Sequence, residues 1–400
     1  MRRAVVETAR ATLEGAGYRR IETPAFEVTE LFTRSVGEAT DIVEKEMYTF
    51  EDGGGRSMTL RPEVTAPVMR AYLDHGMHKL PQPVKLWYAS SCWRYERAQA
   101  GRYRQFWQVG AEAIGSDDPA VDAESIILLS RILAELGVGD LVLRIASLGD
   151  AAARAAYREV LLAYMEENAG RLSDEARARM STNPLRAFDS DHEGTKAVMA
   201  GAPLLADHLS AADAGHFAEV LSLLDAAGVS YEVDPTLVRG LDYYTRTVFE
   251  FSSDALGAQS GVAGGGRYDG LAGQIGGDRV PGMGWAAGIE RIILAADERP
   301  EPEPVTTLFV ALADDAPDTR RSAFALACEA RSAGVATQME LAGRSLKGQR
   351  KQAARLGARF TAVVGESGIV LEDHEAGESW DEESGGSTVA SVLRERGLVS

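Results

Sequence analysis

Cysteine is nearly absent: Cys92 and Cys328 are the only two in 400 residues. Two isolated thiols exclude a disulfide framework and fit a reducing compartment, each read as a small core hydrophobe. No apolar run approaches the ~20 residues that span a bilayer. Met1-Arg2-Arg3 leads straight into an amphipathic helical pattern, so no signal peptide is read and a soluble cytoplasmic protein without membrane contact is expected. Basic charge is also short. There are 42 Lys and Arg against 60 Asp and Glu, a formal net charge of −18. Nucleic-acid binding usually leaves a basic footprint, so the bulk balance points away from it. Internal repeats are missing. With 45% hydrophobic and 26% charged residues, the composition is globular and excludes disordered and collagen-like classes. The length allows two or three domains, each with its own core.

Several familiar motifs are near misses. Gly343 and Gly348 have phosphate-loop spacing, but Gln349-Arg350 replaces the required Lys-Ser/Thr pair. The glycines of 282–287 match a loose dinucleotide fingerprint without its strand–helix–strand context. His75 and His78 lack a third ligand nearby in sequence, so they read as surface histidines, and no protein motif supplies a metal site.

Apolar periodicity predicts helices over 4–17 and 120–137. Between them, 58–115 reads as short strands, and two of these flank the polar loop at 98–101 as an antiparallel hairpin. About 151–230 is Ala-rich and helical, a helical insertion within a larger domain of residues 1–298. Residues 299–304 alternate proline with glutamate after Arg299 and form the linker. In 305–400, strands at 307–312, 334–341 and 360–365 alternate with helices at 319–333 and 345–357, a small α/β domain with parallel pairing.

Four clusters carry chemistry. Arg94, Arg97, Arg102 and Arg104 fall within eleven residues of the hairpin, with Glu96 as the only acid among them. Arginine forks match phosphate bidentately, although a solvated hairpin is the plainer alternative. Arg239-Gly240-Leu241-Asp242-Tyr243-Tyr244 combines charge with paired hydroxyl donors, or is simple packing. Gly264-Gly265-Gly266-Arg267-Tyr268-Asp269-Gly270 allows close backbone approach to a ligand, or makes a bulge. Arg291 lies near a helix start, where anions bind, or is a surface arginine.

Together and in this order, these clusters resemble the histidyl-tRNA synthetases, a family of class II aminoacyl-tRNA synthetases. The resemblance runs from about residue 17 to 365. It includes Gly17-Tyr18, Ile21-Glu22-Thr23-Pro24, the stretches at 29–32 and 36–41, and Leu60-Arg61-Pro62-Glu63-Val64-Thr65. It continues through 94–108, Asn183-Pro184-Leu185-Arg186, 238–250, 264–271 and 288–291. It implies an α+β fold: an antiparallel-sheet catalytic core with the helical insertion, plus a C-terminal α/β anticodon-binding domain. It further implies a histidine–tRNA ligase that activates L-histidine with ATP, aided by Mg²⁺, then charges tRNA(His), and that works as a homodimer with Pro24 in the interface motif.

By the same resemblance Arg94 and Arg239 are catalytic and bind ATP together with Arg291. Glu63, Thr65, Gln108, Glu112, Tyr243 and Tyr244 bind histidine. Arg97 and Arg102 face ATP and the tRNA acceptor end. Arg344, Lys347 and Lys351, with Arg355, recur at helical spacing, and that basic stripe is expected to face RNA while Leu346, Ala353 and Leu356 turn to the core. The family usually carries further residues before the first helix, so a truncated or misassigned start is expected. Val64, Ala98 and Trp107 stand where glycine, proline and histidine are common, and Val64 and Trp107 flank the expected histidine ligands. The rival reading is the non-catalytic regulatory subunit of ATP phosphoribosyltransferase. That paralogue typically lacks the anticodon domain and parts of the 239–244 segment.

The acidic total conceals a patchwork. Residues 344–359 carry six basic side chains and no acid, while acid gathers at 372–383. Local basic strips therefore reopen a nucleic-acid partner that the net charge discourages.

Overall fold

The computed structural model describes residues 1–37, 40–97, 99–237, 240–257, 260–296 and 306–382. It divides into two compact units, Met1–Arg299 and Pro300–Ser400. The linker at 299–304 lies outside the described residues.

In the first unit α1 (Arg2–Gly15) leads to β1 (Arg19–Arg20), β2 (Phe26–Val28), α2 (Thr29–Val36), β3 (Tyr48–Glu51), β4 (Ser57–Leu60) and α3 (Thr65–Asp74). Two ten-residue strands follow, β5 (Val84–Trp93) and β6 (Gln105–Ile114), then α4 (Pro119–Glu135) and β7 (Leu141–Ser147). The insertion carries α5 (Ala151–Glu167), α6 (Asp174–Arg179), α7 (Glu193–Met199) and α8 (Ala211–Ala226). Sheet returns with β8 (Glu232–Val233), β9 (Thr245–Ser253), β10 (Gly261–Arg267), α9 (Leu271–Gln274), β11 (Gly282–Gly288) and finally α10 (Ile289–Ala295).

The main sheet has the order β1-β5-β6-β11-β10-β9-β7-β8. Its interior pairs are antiparallel, and only the two-residue edge strands β1 and β8 run parallel to their neighbours. Side chains alternate faces along a strand, so each strand contributes to two different layers. Trp87, Val109, Ala111, Phe249, Met283 and Trp285 face one way and join Ile126, Leu129 and Leu133 of α4 in the largest core. Burying each such side chain stabilises the fold by roughly 1.5–3 kcal/mol before chain entropy is counted. Asp118 caps α4 by accepting from the Ala120 N–H at 2.8 Å, with Pro119 at the first helical position. Gln108, Gly110 and Glu112 on β6 face the other way, and that second face carries the site.

The insertion has its own apolar cluster, from Tyr157, Leu161 and Met165 to Met199 and Leu205. Val220 and Leu224 of α8, by contrast, belong to the main core. A separate sheet of order β2-β4-β3 exposes Phe26 and Phe50, whose rings meet edge-on at 6.0 Å.

The second unit contains β12 (Leu308–Leu312), α11 (Pro317–Ser332), β13 (Thr337–Met339), α12 (Leu346–Arg355), β14 (Phe360–Gly365), β15 (Gly368–Asp373) and β16 (Glu378–Glu382). The order is β13-β12-β14-β15-β16; the first three strands are parallel, as the alternating pattern predicts. All five residues of β12 are buried, as a strand covered on both faces requires. The antiparallel addition of β15 and β16 was hidden in sequence by acidic residues, of which Glu372 is drawn in by Arg350 and Asp373 by Arg359. Cys92 is buried as expected. Cys328 is not a core residue but exposed, on the solvent side of α11. His75 and His78 are both exposed.

Candidate active site

The second face of the main sheet is centred on a buried carboxylate. Glu112 on β6 is fully inaccessible. Its Oε1 accepts from the Thr65 hydroxyl at 2.8 Å and the Tyr88 hydroxyl at 3.2 Å, and its Oε2 from the Tyr268 hydroxyl at 2.5 Å. Burial pushes its pKa up to about 8 against those three donors, which favour the charged form. Tyr243 packs edge-on against Tyr244 at 4.8 Å and Tyr268 at 5.9 Å.

A second buried carboxylate, Glu63, accepts from the backbone N–H groups of Thr65 (2.7 Å) and Ala66 (3.0 Å) at the start of α3. Burial raises its pKa too, opposed by those amides and by Arg94 nearby. A carboxylate at a helix start is favoured by the exposed amides and the helix dipole. Arg94 follows β5 and donates through Nε to the Pro62 carbonyl at 2.9 Å, so the hairpin arginine and the Glu63 turn are tied together. Its guanidinium also sits over the Phe106 ring at 5.3 Å.

Two cavities open on this face. The smaller, about 270 Å³, is lined by Glu63, Val64, Thr65, Tyr243, Tyr244 and Tyr268, among others. The larger, about 720 Å³, is lined by Arg94, Glu96, Arg102, Phe106 and Arg291 with the glycine-rich β10. Arg94, Gln108, Glu250, Gly264 and Ala286 line both, so they form the junction. The arrangement provides an enclosed polar pocket beside a wider, arginine-walled groove, with one guanidinium between them.

The fold thus gathers Glu63, Thr65, Arg94, Gln108, Glu112, Tyr243 and Tyr244 from four separate stretches of chain. Arg291 and Arg102 lie on the larger cavity, where burial lowers the pKa of Arg291 and Arg102 pairs with Glu96 at 3.3 Å. Arg97 is exposed on the hairpin. Arg239 and Ala98 lie outside the described residues. Arg344, Lys347 and Lys351 belong to the second unit, where Arg344 pairs with the buried Glu340 at 3.5 Å and both lysines are exposed. Val64 lines the smaller cavity. Trp107 faces the opposite side of β6 from Gln108, against the main core and beneath the Arg2 guanidinium at 4.7 Å. It therefore does not wall the pocket.

Sequence reasoning missed Tyr88, Tyr268 and Glu250. Tyr268 stood within a recognised cluster, and its period-two relation to Gly266 and Gly264 was the available signal. Tyr88 read as a β-forming aromatic, and only its cross-strand neighbourhood reveals the hydroxyl on Glu112. Arg267, in the same cluster, is fully buried between Asp122 (3.2 Å) and Asp269 (3.4 Å) and supports the sheet rather than the pocket. Among the described residues no group of three His, Cys, Asp or Glu is set to hold a metal by itself.

A family model described as histidyl-tRNA synthetase matches residues 1–292. The histidine–tRNA ligase of Halothermothrix orenii is 48% identical over 364 residues, covering 91% of this chain and 87% of that protein. The histidine–tRNA ligase of Streptomyces avermitilis is 49% identical over 385 residues, covering 94% and 90%. Among solved structures, apo histidyl-tRNA synthetase from S. aureus aligns at 36% identity with a TM-score of 0.79, covering 95% of this chain and 93% of that one.

Proposed function

The chain belongs to the histidyl-tRNA synthetase family, and from that premise we propose that its two cavities take L-histidine and ATP and that it charges tRNA(His). The observation that carries this reading is the shared wall of Arg94, Gln108 and Glu250 between an enclosed polar pocket and an arginine-lined groove. A carboxylate in the first and an α-phosphorus in the second would meet beside Arg94.

Histidine occupies the smaller cavity. Glu63 offsets its α-ammonium, Gln108 orients it, and the Thr65–Glu112–Tyr243–Tyr244 group receives the imidazole, whose two ring nitrogens each need a partner. ATP occupies the larger cavity, with Arg291 and Arg102 beside it. The histidine carboxylate attacks the α-phosphorus, pyrophosphate leaves in line, and histidyl-adenylate forms. Arg94, already fixed on Pro62, stabilises the charge that develops on the phosphoryl oxygens, with Arg239 as the second catalytic cation. A ribose hydroxyl at the tRNA 3′ end then attacks the adenylate carbonyl and AMP departs.

Magnesium commonly binds through one or two carboxylates plus substrate phosphates. Glu250, at the junction, fits that donor set. When bound, the ion would supply charge neutralisation on the leaving pyrophosphate.

The basic stripe of the second unit faces the tRNA, and Arg97 and Arg102 face its acceptor end. The exposed Phe26–Phe50 pair, close in sequence to Pro24, supports a homodimer through this surface, because paired exposed aromatics mark interfaces. Among the described residues no helix is long and apolar enough to cross a membrane. Residues 1–298 serve as the catalytic domain with the insertion at about 151–230, and 305–400 as the anticodon-binding domain. The regulatory-subunit reading is weaker, because the relatives covering most of the chain are named as ligases. Histidine-dependent exchange of pyrophosphate into ATP decides between them: exchange is expected, and its absence with both ligands still bound would favour the regulatory role.

A further inference from the structure

The Asp242–Tyr244 segment, on the wall of the smaller cavity, is held from the helical insertion. Arg154, in the first turns of α5, donates from one guanidinium nitrogen to the Tyr244 carbonyl at 2.5 Å and the Asp242 carbonyl at 3.3 Å. Asn183 Nδ2 donates to Asp242 Oδ1 at 3.3 Å. Just beyond, Arg246 adopts a left-handed backbone (φ 49°), unusual for a side chain with a Cβ, and Asp213 of α8 holds its Nε at 2.9 Å. The two tyrosines are therefore carried on irregular backbone whose geometry is set by groups from α5, α8 and the turn between α6 and α7.

Tyr243 leans on Tyr268, which donates to Glu112. A shift of the Asp242–Tyr244 backbone would move the wall facing the imidazole. Neither Arg154 nor the two tyrosines line the larger cavity. We propose that Arg154 is a positioning residue for histidine selection: from the insertion it fixes the backbone on both sides of Tyr243, and with it the tyrosine wall of the amino-acid pocket. This rests on the reading of the smaller cavity as the histidine site. It gives the insertion a task in amino-acid recognition that is independent of tRNA.

The test is histidine-dependent pyrophosphate exchange by the full-length protein carrying Arg154→Met or Arg154→Lys, without tRNA. Loss of a charged donor to two carbonyls is expected to raise the histidine KM about tenfold in R154M, with the ATP KM changed by less than about twofold. R154K, which keeps a charged donor, recovers most of the loss. Arg179→Ala, which breaks the insertion's 2.9 Å ion pair to Asp41 but touches neither tyrosine, leaves the histidine KM unchanged. If R154M fails to fold, Arg154→Gln is read by the same criteria. An unchanged histidine KM, or histidine and ATP KM rising in parallel, overturns the proposal. Wild-type protein without exchange removes the functional reading and this proposal together, whereas an active wild type with an indifferent R154M removes the proposal alone.

Discussion

Gly284 stands directly across the β11–β6 pair from Glu112, and a Cβ at Gly284 would lie 1.7 Å from Glu112 Oε2. The buried carboxylate keeps its place among the Thr65, Tyr88 and Tyr268 hydroxyls only because its neighbour has no side chain. Alanine there must push Glu112 out of that ring or part the strands. Overpacking of a well-filled interior costs roughly 1–3 kcal/mol. Gly284→Ala is therefore expected to lower Tm by several degrees and to raise the histidine KM more than the ATP KM. Thermal melts and pyrophosphate exchange check both, and an equal effect on the two KM values would show that Glu112 is not specific to the amino-acid pocket.

Glu112 also sets a pH dependence. Its carboxyl titrates near 4.5 in an ordinary setting and is pushed up to about 8 by burial in the folded protein. Between these values the folded state holds a proton that the unfolded chain has released. The stabilisation from this site is thus complete below about 4.5, declines as pH rises and is gone above about 8. Glu112→Gln mimics the protonated form and cannot titrate. Without histidine, the Tm of the wild type should fall relative to that of E112Q between pH 5 and 8, in the window that this shift defines. Parallel Tm curves for the two proteins would contradict the raised carboxyl.

The sequence made the site legible where side-chain type and local order were enough. Arg94 stood out because the hairpin arginines break the pattern of an acidic chain, whereas Gln108 and Glu112 were named by the family resemblance, and the alternation of β6 explains why they share a face. Glu63 and Thr65 were named only by the family resemblance, since 58–115 read as short strands and the helix α3 that begins at Thr65 was not foreseen. Tyr88 and Glu250 were not, because their relation to Glu112 and Arg94 depends on which strands become neighbours, and no local pattern encodes the β6-β11-β10-β9 order. Arg154 was equally hidden, since in sequence it is one basic residue in an Ala-rich helix. Trp107 misled for a simpler reason: adjacent residues on a strand point to opposite faces, so a neighbour of Gln108 cannot share its pocket.

Arg94, which we propose as a catalytic residue, is held by a contact that involves no substrate. Its Nε is spent on the Pro62 carbonyl, and the side chain lines both cavities at their junction. Arg94→Gln should reduce the turnover of pyrophosphate exchange by about 10²–10³, the range for removing one preorganised donor to a developing oxyanion. Because the side chain is only partly buried, Tm should change little. Single-turnover adenylate formation measures the effect without product release. A defect confined to KM, with turnover intact, would assign Arg94 to ground-state binding instead.

Lys347 and Lys351, together with the exposed Arg355, hold the available charge of the basic stripe. Arg344 is engaged by Glu340 and Arg350 by Glu372, whereas both lysines are exposed and make no ion pair among the described residues. Ala353 and the partly buried Leu346 and Leu356 hold the opposite side of α12 to the core, which fixes the stripe outward. Each lysine that neutralises a phosphate releases a counterion, so its contribution appears in the salt dependence of binding. Lys347→Glu combined with Lys351→Glu should weaken tRNA binding by tenfold or more, by roughly 1.4 kcal/mol per factor of ten. It should also make the log–log salt slope shallower by about two. Pyrophosphate exchange, which needs no tRNA, should be unaffected. Unchanged affinity and an unchanged salt slope in the double variant would place the tRNA on another face, despite the run of basic residues that an acidic chain reserves for this helix.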